Sequence, residues 1–196
     1  TNGDFTYDAD VLYHELGHAI VAQVGSLQSG NLLDSTGTNS SPGALNEGYA
    51  DYFSSAITGD PVVGGYIGNI LTGGSGIRTM DHNQVCPEYW IGEVHADSHG
   101  WAAALWDARS LYPQTEVDEV TGYTVRIFDR VAYEALTMLT TNMLHDDAAR
   151  ETIEAVKNTP ELEDPEGTLV TGAMEGRNVI ACERIRPLTT NDPIEM

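Results

Sequence analysis

The chain has 196 residues, 41% of them hydrophobic, with 30 acidic against nine basic side chains and a formal net charge of -21. That is enough apolar material for one domain with a real core, whereas so large an acidic excess argues against nucleic acid as a partner, because a phosphate backbone would be repelled. No apolar run is long enough to span a membrane, and the carboxylate surplus, with Lys157 as the single lysine, fits a well-solvated extracellular surface. The two cysteines, Cys86 and Cys182, have neither zinc-ribbon nor C-x-x-C spacing. One disulfide closing a long loop and two buried thiols both remain open.

In chain order, Asp8 or Asp10 is an N-cap for an apolar helix through Val11, Leu12, Ile20, Val21 and Val24, ending near Gly25. Residues 25–43, rich in Ser, Asn, Thr and Gly, read as a long surface loop. A helix follows from Ala44 to Thr58, stopped by Gly59-Asp60-Pro61. The glycine-rich stretch from Val62 to Ser75 reads as irregular, and Ile77 to Gly92 as mainly loop. A second strong helix is predicted from about Ser98 to Leu111, then a hairpin or loop over Gln114–Val125. Arg126–Leu144 is one long helix, and Asp146 or Asp147 caps another through Lys157. The whole of 1–196 reads as one mainly α domain with long loops and little β. Its core covers about 8–158, and 159–196 is an acidic, partly irregular tail with a β-prone run at Asn178–Cys182.

Tyr13-His14-Glu15-Leu16-Gly17-His18 lies in the first half of the first helix. Residues four apart share a helix face about 6 Å apart, so His14 and His18 can both reach one metal ion, with Glu15 beside it. A helix, a loop and a returning helix bring Glu47 to face them, completing a two-His, one-carboxylate set. Asp51, one turn on, can accept the second N–H of a ligand histidine, and Asn46 can serve similarly. The bland alternative is two chance histidines on a core helix and a solvated acidic face. The apolar neighbours Ala44, Leu45, Tyr49, Tyr52 and Phe53 weigh against the latter.

H-E-x-x-H followed by Asn46-Glu47-Gly48-Tyr49-Ala50-Asp51 resembles the gluzincin metallopeptidases of the thermolysin and fungalysin type. Gly76-Ile77-Arg78-Thr79-Met80-Asp81 resembles the segment whose arginine binds a substrate carbonyl beyond the scissile bond. Val94-His95-Ala96-Asp97-Ser98 is similar to the V-H-x-N-S segment whose histidine binds the tetrahedral oxyanion. These motifs run in family order across residues 8–107. The metzincin extension would need Gly and His where Val21 and Val24 stand, and Gly172-Ala173-Met174-Glu175-Gly176 is a chance likeness to an aminopeptidase motif.

The resemblance implies a zincin-type helical catalytic domain, the C-terminal half of a thermolysin-like fold. It implies a secreted zinc endopeptidase with His14, His18 and Glu47 on zinc, Glu15 and His95 catalytic, and Arg78, Val11 and Ile77 contacting a peptide or protein substrate. Val11 and Ile77 would line an apolar pocket for the residue after the cut, unless they are ordinary core. There are departures. Residues 25–43 lack the family's tyrosine, Trp90 stands where an aspartate orients the histidine, so that Glu93 or Glu88 must substitute, and His99 reads as a surface or capping residue. Asp10 matches a calcium-binding aspartate, but little beyond Asp60 could complete such a site, which argues against Ca2+. The family's β-rich N-terminal domain, or a propeptide, is a missing partner. The alternative reading is a non-catalytic, zinc-binding zincin-like module lacking that domain.

Overall fold

A computed structural model of the protein describes residues 3–27, 30–34 and 37–182. The chain is mainly helical, as its apolar periodicity predicts. Helix α1 spans Ala9–Val24, α2 Ser41–Thr58, α3 Gly65–Thr72, α4 Val94–Asp97, α5 His99–Leu111, α6 Ile127–Thr137, α7 His145–Lys157 and α8 Thr168–Gly176. Three short antiparallel pairs join them: β1 (Leu32–Asp34) with β2 (Gly37–Asn39), β3 (Val62–Val63) with β4 (Arg78–Thr79), and β5 (Thr115–Val117) with β6 (Thr124–Arg126). Among the described residues no helix is long and apolar enough to cross a membrane.

Helix α2 is the axis of the fold. Of its 18 residues 14 are buried, polar ones included, as expected of a helix packed on every side. Tyr49, Tyr52 and Leu45 of α2 meet Trp101 and Leu105 of α5, Phe128 and Leu136 of α6, and Val156 of α7 in one core. Helix α1 lies against α2 with almost no gap: a Cβ on Gly17 would sit 2.6 Å from the Cα of Ala50, closer than side chains approach backbone. Gly48 does the same on the other flank, where a Cβ would meet the Trp101 ring at 2.8 Å. Glycine at these two positions draws α1 and α5 onto α2, and so sets where the side chains one turn away point.

Of the two expected caps of α1 one holds, and several other boundaries differ from expectation. Asp8 is the N-cap of α1, its Oδ1 accepting from Asp10 N–H at 3.1 Å, while its Oδ2 accepts from Ile67 N–H of α3 at 2.8 Å. The 25–43 loop contains the β1–β2 hairpin, and α2 starts at Ser41 with Pro42 in its first turn, where a missing N–H costs nothing. The glycine-rich 62–75 stretch contains α3, flanked by Gly64 and Gly73 in left-handed conformation (φ 72° at each). The helix predicted to run to Leu144 ends at Thr137, and the chain turns through Thr140 and Met143 before Asp147 accepts from Leu144 N–H at 2.9 Å and starts α7.

In the tail, residues 159–182 hold a 3-10 turn (Pro160–Leu162) and α8, and the β-prone Asn178–Cys182 run is a turn rather than a strand; residues 183–196 lie outside the described ones. The aminopeptidase-like Gly172-Ala173-Met174-Glu175-Gly176 belongs to α8, with Met174 in the core. Of the two cysteine readings the disulfide holds: Cys86 and Cys182 are bonded, their Cα atoms 5.8 Å apart.

Candidate metal centre

His14 is buried one turn before Gly17, and His18 follows on the same face of α1. Both rings are fixed by a partner on α2. His14 Nδ1–H donates to Asp51 Oδ1 at 2.8 Å, and His18 Nδ1–H donates to Asn46 Oδ1 at 2.7 Å. These bonds select the tautomer whose bare Nε2 is a metal ligand. Both Nε2 atoms face Glu47, at 3.4 Å from Oε2 for His14 and 3.5 Å from Oε1 for His18.

The three residues bring one ligand atom each within 4.8 Å of one another. Glu47 Oε2 is buried and makes no well-aligned hydrogen bond, with only His14 Nε2 beside it at 3.4 Å, a gap that a bound cation between them would fill. Nitrogen and oxygen donors about 2.1 Å from a tetrahedral zinc are about 3.4 Å apart, so the His–Glu separations suit that ion. The donor set and the orphaned carboxylate oxygen therefore fit a zinc ion held by His14, His18 and Glu47.

Electrostatics follow from this crowding. Burial pushes the His14 imidazole down, but the Asp51 and Glu47 carboxylates outweigh it and lift its pKa to about 9 in the metal-free site. Burial pushes Glu47 up, and the two histidines overcome it, holding the carboxyl far below its usual range. Asp51, buried against α1, is likewise kept ionised by His14 and Arg78.

Asp51 serves two masters, which the sequence reading did not anticipate. Arg78 Nε donates to its Oδ2 at 2.8 Å and Nη2 to its Oδ1 at 2.7 Å, a bidentate pair. The arginine expected to touch substrate thus also braces the carboxylate that orients His14. Its Nη1 carries no bond among the described residues. No sequence spacing signals this pair, because Arg78 arrives on β4 from a different part of the chain.

His95 reaches the same site from α4, with Nε2 3.5 Å from Glu47 Oε1. Its Nδ1–H donates to Glu93 Oε1 at 2.6 Å, so Glu93, and not Glu88, takes the orienting position that Trp90 leaves vacant. The segment itself is tied down by Asp97, whose buried carboxylate accepts from Ile91 N–H at 2.7 Å, Gly92 N–H at 3.0 Å and the Ser40 hydroxyl at the start of α2. Sequence reading missed that role.

A cavity of about 420 Å3 opens beside His14, lined among others by Val11, Glu15, Ile77, Arg78 and His95. Ile77 lines it and is 43% exposed, so it is not core. Asp10 and Asp60 act as backbone acceptors, for Gly65 N–H at 3.2 Å and Val62 N–H at 2.9 Å. His99, expected at the surface or as a cap, is half-buried, its ring centroid 5.8 Å from that of His82. No family model matches the sequence, and no curated protein matches it.

Proposed function

We propose that the chain is a secreted zinc metalloendopeptidase of the thermolysin- and fungalysin-like gluzincin type, hydrolysing peptide bonds in a zincin-type helical catalytic domain. The observation that carries the reading is the convergence of His14 Nε2, His18 Nε2 and the Glu47 carboxylate, each histidine held in its ligand tautomer and one carboxylate oxygen left orphaned. Bound zinc supplies Lewis acidity toward water and the scissile carbonyl. Glu15, exposed on the cavity wall next to His14, is the base that takes a proton from the attacking water and returns it to the leaving amine. His95, its ring oriented by Glu93, stabilises the developing oxyanion from its Nε2 side, a contribution of roughly 3 kcal/mol for such a group.

Arg78 offers Nη1 to the carbonyl of the residue after the cut. Val11 and Ile77 favour Leu, Phe or Ile there, since burying such a side chain contributes about 1.5 to 3 kcal/mol. The second reading, a zinc-holding module without hydrolysis, draws on Leu12 and Leu16, which stay 52% and 48% exposed on the helix that carries Glu15 and suit a covering β-rich domain or propeptide.

Incubation of the chain with an unstructured protein decides between the two. Cleavage that a chelator stops and zinc restores is expected, and Glu15→Gln should keep its zinc while losing roughly 10²- to 10⁴-fold in rate. Full activity in zinc-loaded Glu15→Gln would remove the assigned base. Zinc binding without any cleavage would leave the module reading.

A further inference from the structure

A second cavity, of about 210 Å3, lies on the other side of the Gly76–Arg78 segment, with Ser75, Arg78, Thr79, His82, Gln84 and His99 on its wall. It shares Ile77 and Arg78 with the cavity that holds Val11 and Glu15. In a chain of net charge -21, none of its lining residues is an acid. The carboxylates around it are engaged elsewhere: Asp51 by Arg78, and Asp107 by Arg177 through bonds of 2.6 and 3.2 Å. Asp81 and Glu93 reach the two imidazoles only through their longer-range charge.

The two histidines are differently committed. His82 Nδ1 accepts from Gln84 N–H at 3.1 Å, so its neutral ring carries the proton on Nε2. The ring nitrogens of His99 carry no hydrogen bond among the described residues, which leaves them for a ligand. Burial lowers both pKa values, helped by Arg177 at His82 and by His82 and Arg78 at His99. A cavity whose wall offers the unbonded Nη1 of Arg78, hydroxyls and neutral imidazoles, and no acid, is matched by an anion.

The geometry points to a carboxylate-binding subsite, in which His99 with the Thr79 and Ser75 hydroxyls receives the carboxylate of the substrate residue that follows the one gripped by Arg78. Successive Cα atoms are about 3.8 Å apart, so a chain whose carbonyl sits on Arg78 brings its next residue to the mouth of this cavity. The inference rests on the peptidase reading. The carboxylate can come from an Asp or Glu side chain or from the free C-terminus of a substrate cut one dipeptide from its end.

Three peptides separate these cases: amidated ones with Glu or Gln at the second position after the cut, and one with Ala there and a free C-terminal carboxylate. Wild type is expected to cleave a carboxylate-bearing peptide with kcat/KM about tenfold above the Gln peptide. His99→Gln should reduce that ratio to within about twofold, with cleavage of the Gln peptide unchanged. Preference for the Glu peptide identifies the side chain as the source, and preference for the third peptide the terminus. Equal cleavage of all three by wild type overturns the subsite and leaves the peptidase reading standing.

If no peptide is cut, the peptidase reading falls, and the subsite is decided by titrating the protein with the dipeptides Leu-Glu and Leu-Gln while following the His99 imidazole by NMR. A shift of the ring signals with Leu-Glu and its amidated form, but not with amidated Leu-Gln, supports a side-chain carboxylate. A shift with free Leu-Gln but not amidated Leu-Gln supports the terminal one. No shift with any of them overturns the proposal.

Discussion

The two walls of the candidate centre are built on opposite principles. His14, His18 and Glu47 ride on helices pressed together at Gly17 and Ala50, and each histidine has a second bond to α2. Across the cavity, His95 sits on the one-turn helix α4, and it and Glu93 are about half exposed, 52% and 51%. A ligand set gains by rigidity, since disorder in any member is lost affinity. A donor needed only as charge develops can stand at the solvent edge, provided a partner orients its ring. The helical wall should thus govern whether metal is held, and the loop wall how fast a held metal works.

The strongest attempt to break that division is Gly17→Val, which forces α1 off Ala50. We expect zinc content to fall to background and stability to drop on the order of 3 kcal/mol, read by metal analysis and urea unfolding. Normal zinc with a normal unfolding midpoint would mean that the helix contact does not set the site. Next in size is His95→Ala, expected to lower kcat/KM by roughly 10²- to 10³-fold at unchanged zinc content. Loss of zinc in that variant would turn His95 into a ligand and erase the distinction between the walls.

Asp51→Asn sharpens the comparison from the rigid side. It should weaken zinc binding by about 10- to 100-fold, because His14 loses its charged anchor and Arg78 its partner; competition with a chromogenic chelator measures it, and unaltered affinity would count against Asp51. The mildest test is pH. His14 in the metal-free protein has its pKa raised from 6.5 to about 9 by Asp51 and Glu47. Its protonation therefore stabilises the metal-free fold fully below about pH 6.5, and that stabilisation is lost as the pH rises toward 9. The urea midpoint of chelator-treated protein should fall across that window while zinc affinity rises; a midpoint flat over the same range would contradict the coupling.

Legibility along the chain follows how local each cause is. The helix that carries His14 and His18, and the return that brings Glu47, could be read because a 3.6-residue period is written in consecutive residues. Helix α3 could not, since Gly64, Gly65, Gly68 and Gly73 suppress local propensity; two carboxylates at the start of α1, its N-cap Asp8 and Asp10, hold its first turn instead. Helix α8 was hidden in an acidic tail, and it folds because Val170 and Met174 reach the common core. The His95–Glu93 pair was half legible, two residues apart in sequence but chosen over Glu88 only by the turn of the chain.

By itself the sequence determined a mainly helical chain, its acidic surface and the histidine–carboxylate set, because helix periodicity and composition act over a few residues at a time. Only the tertiary structure decided that Arg78 is locked on Asp51, that Asp97 ties the His95 segment to Ser40, and that His82 and His99 share a cavity. Each of these joins residues 17 or more positions apart in the chain. Such contacts depend on how closely α1, α2 and α5 approach, which is settled by the shapes of Gly17, Gly48 and the buried rings packed around them.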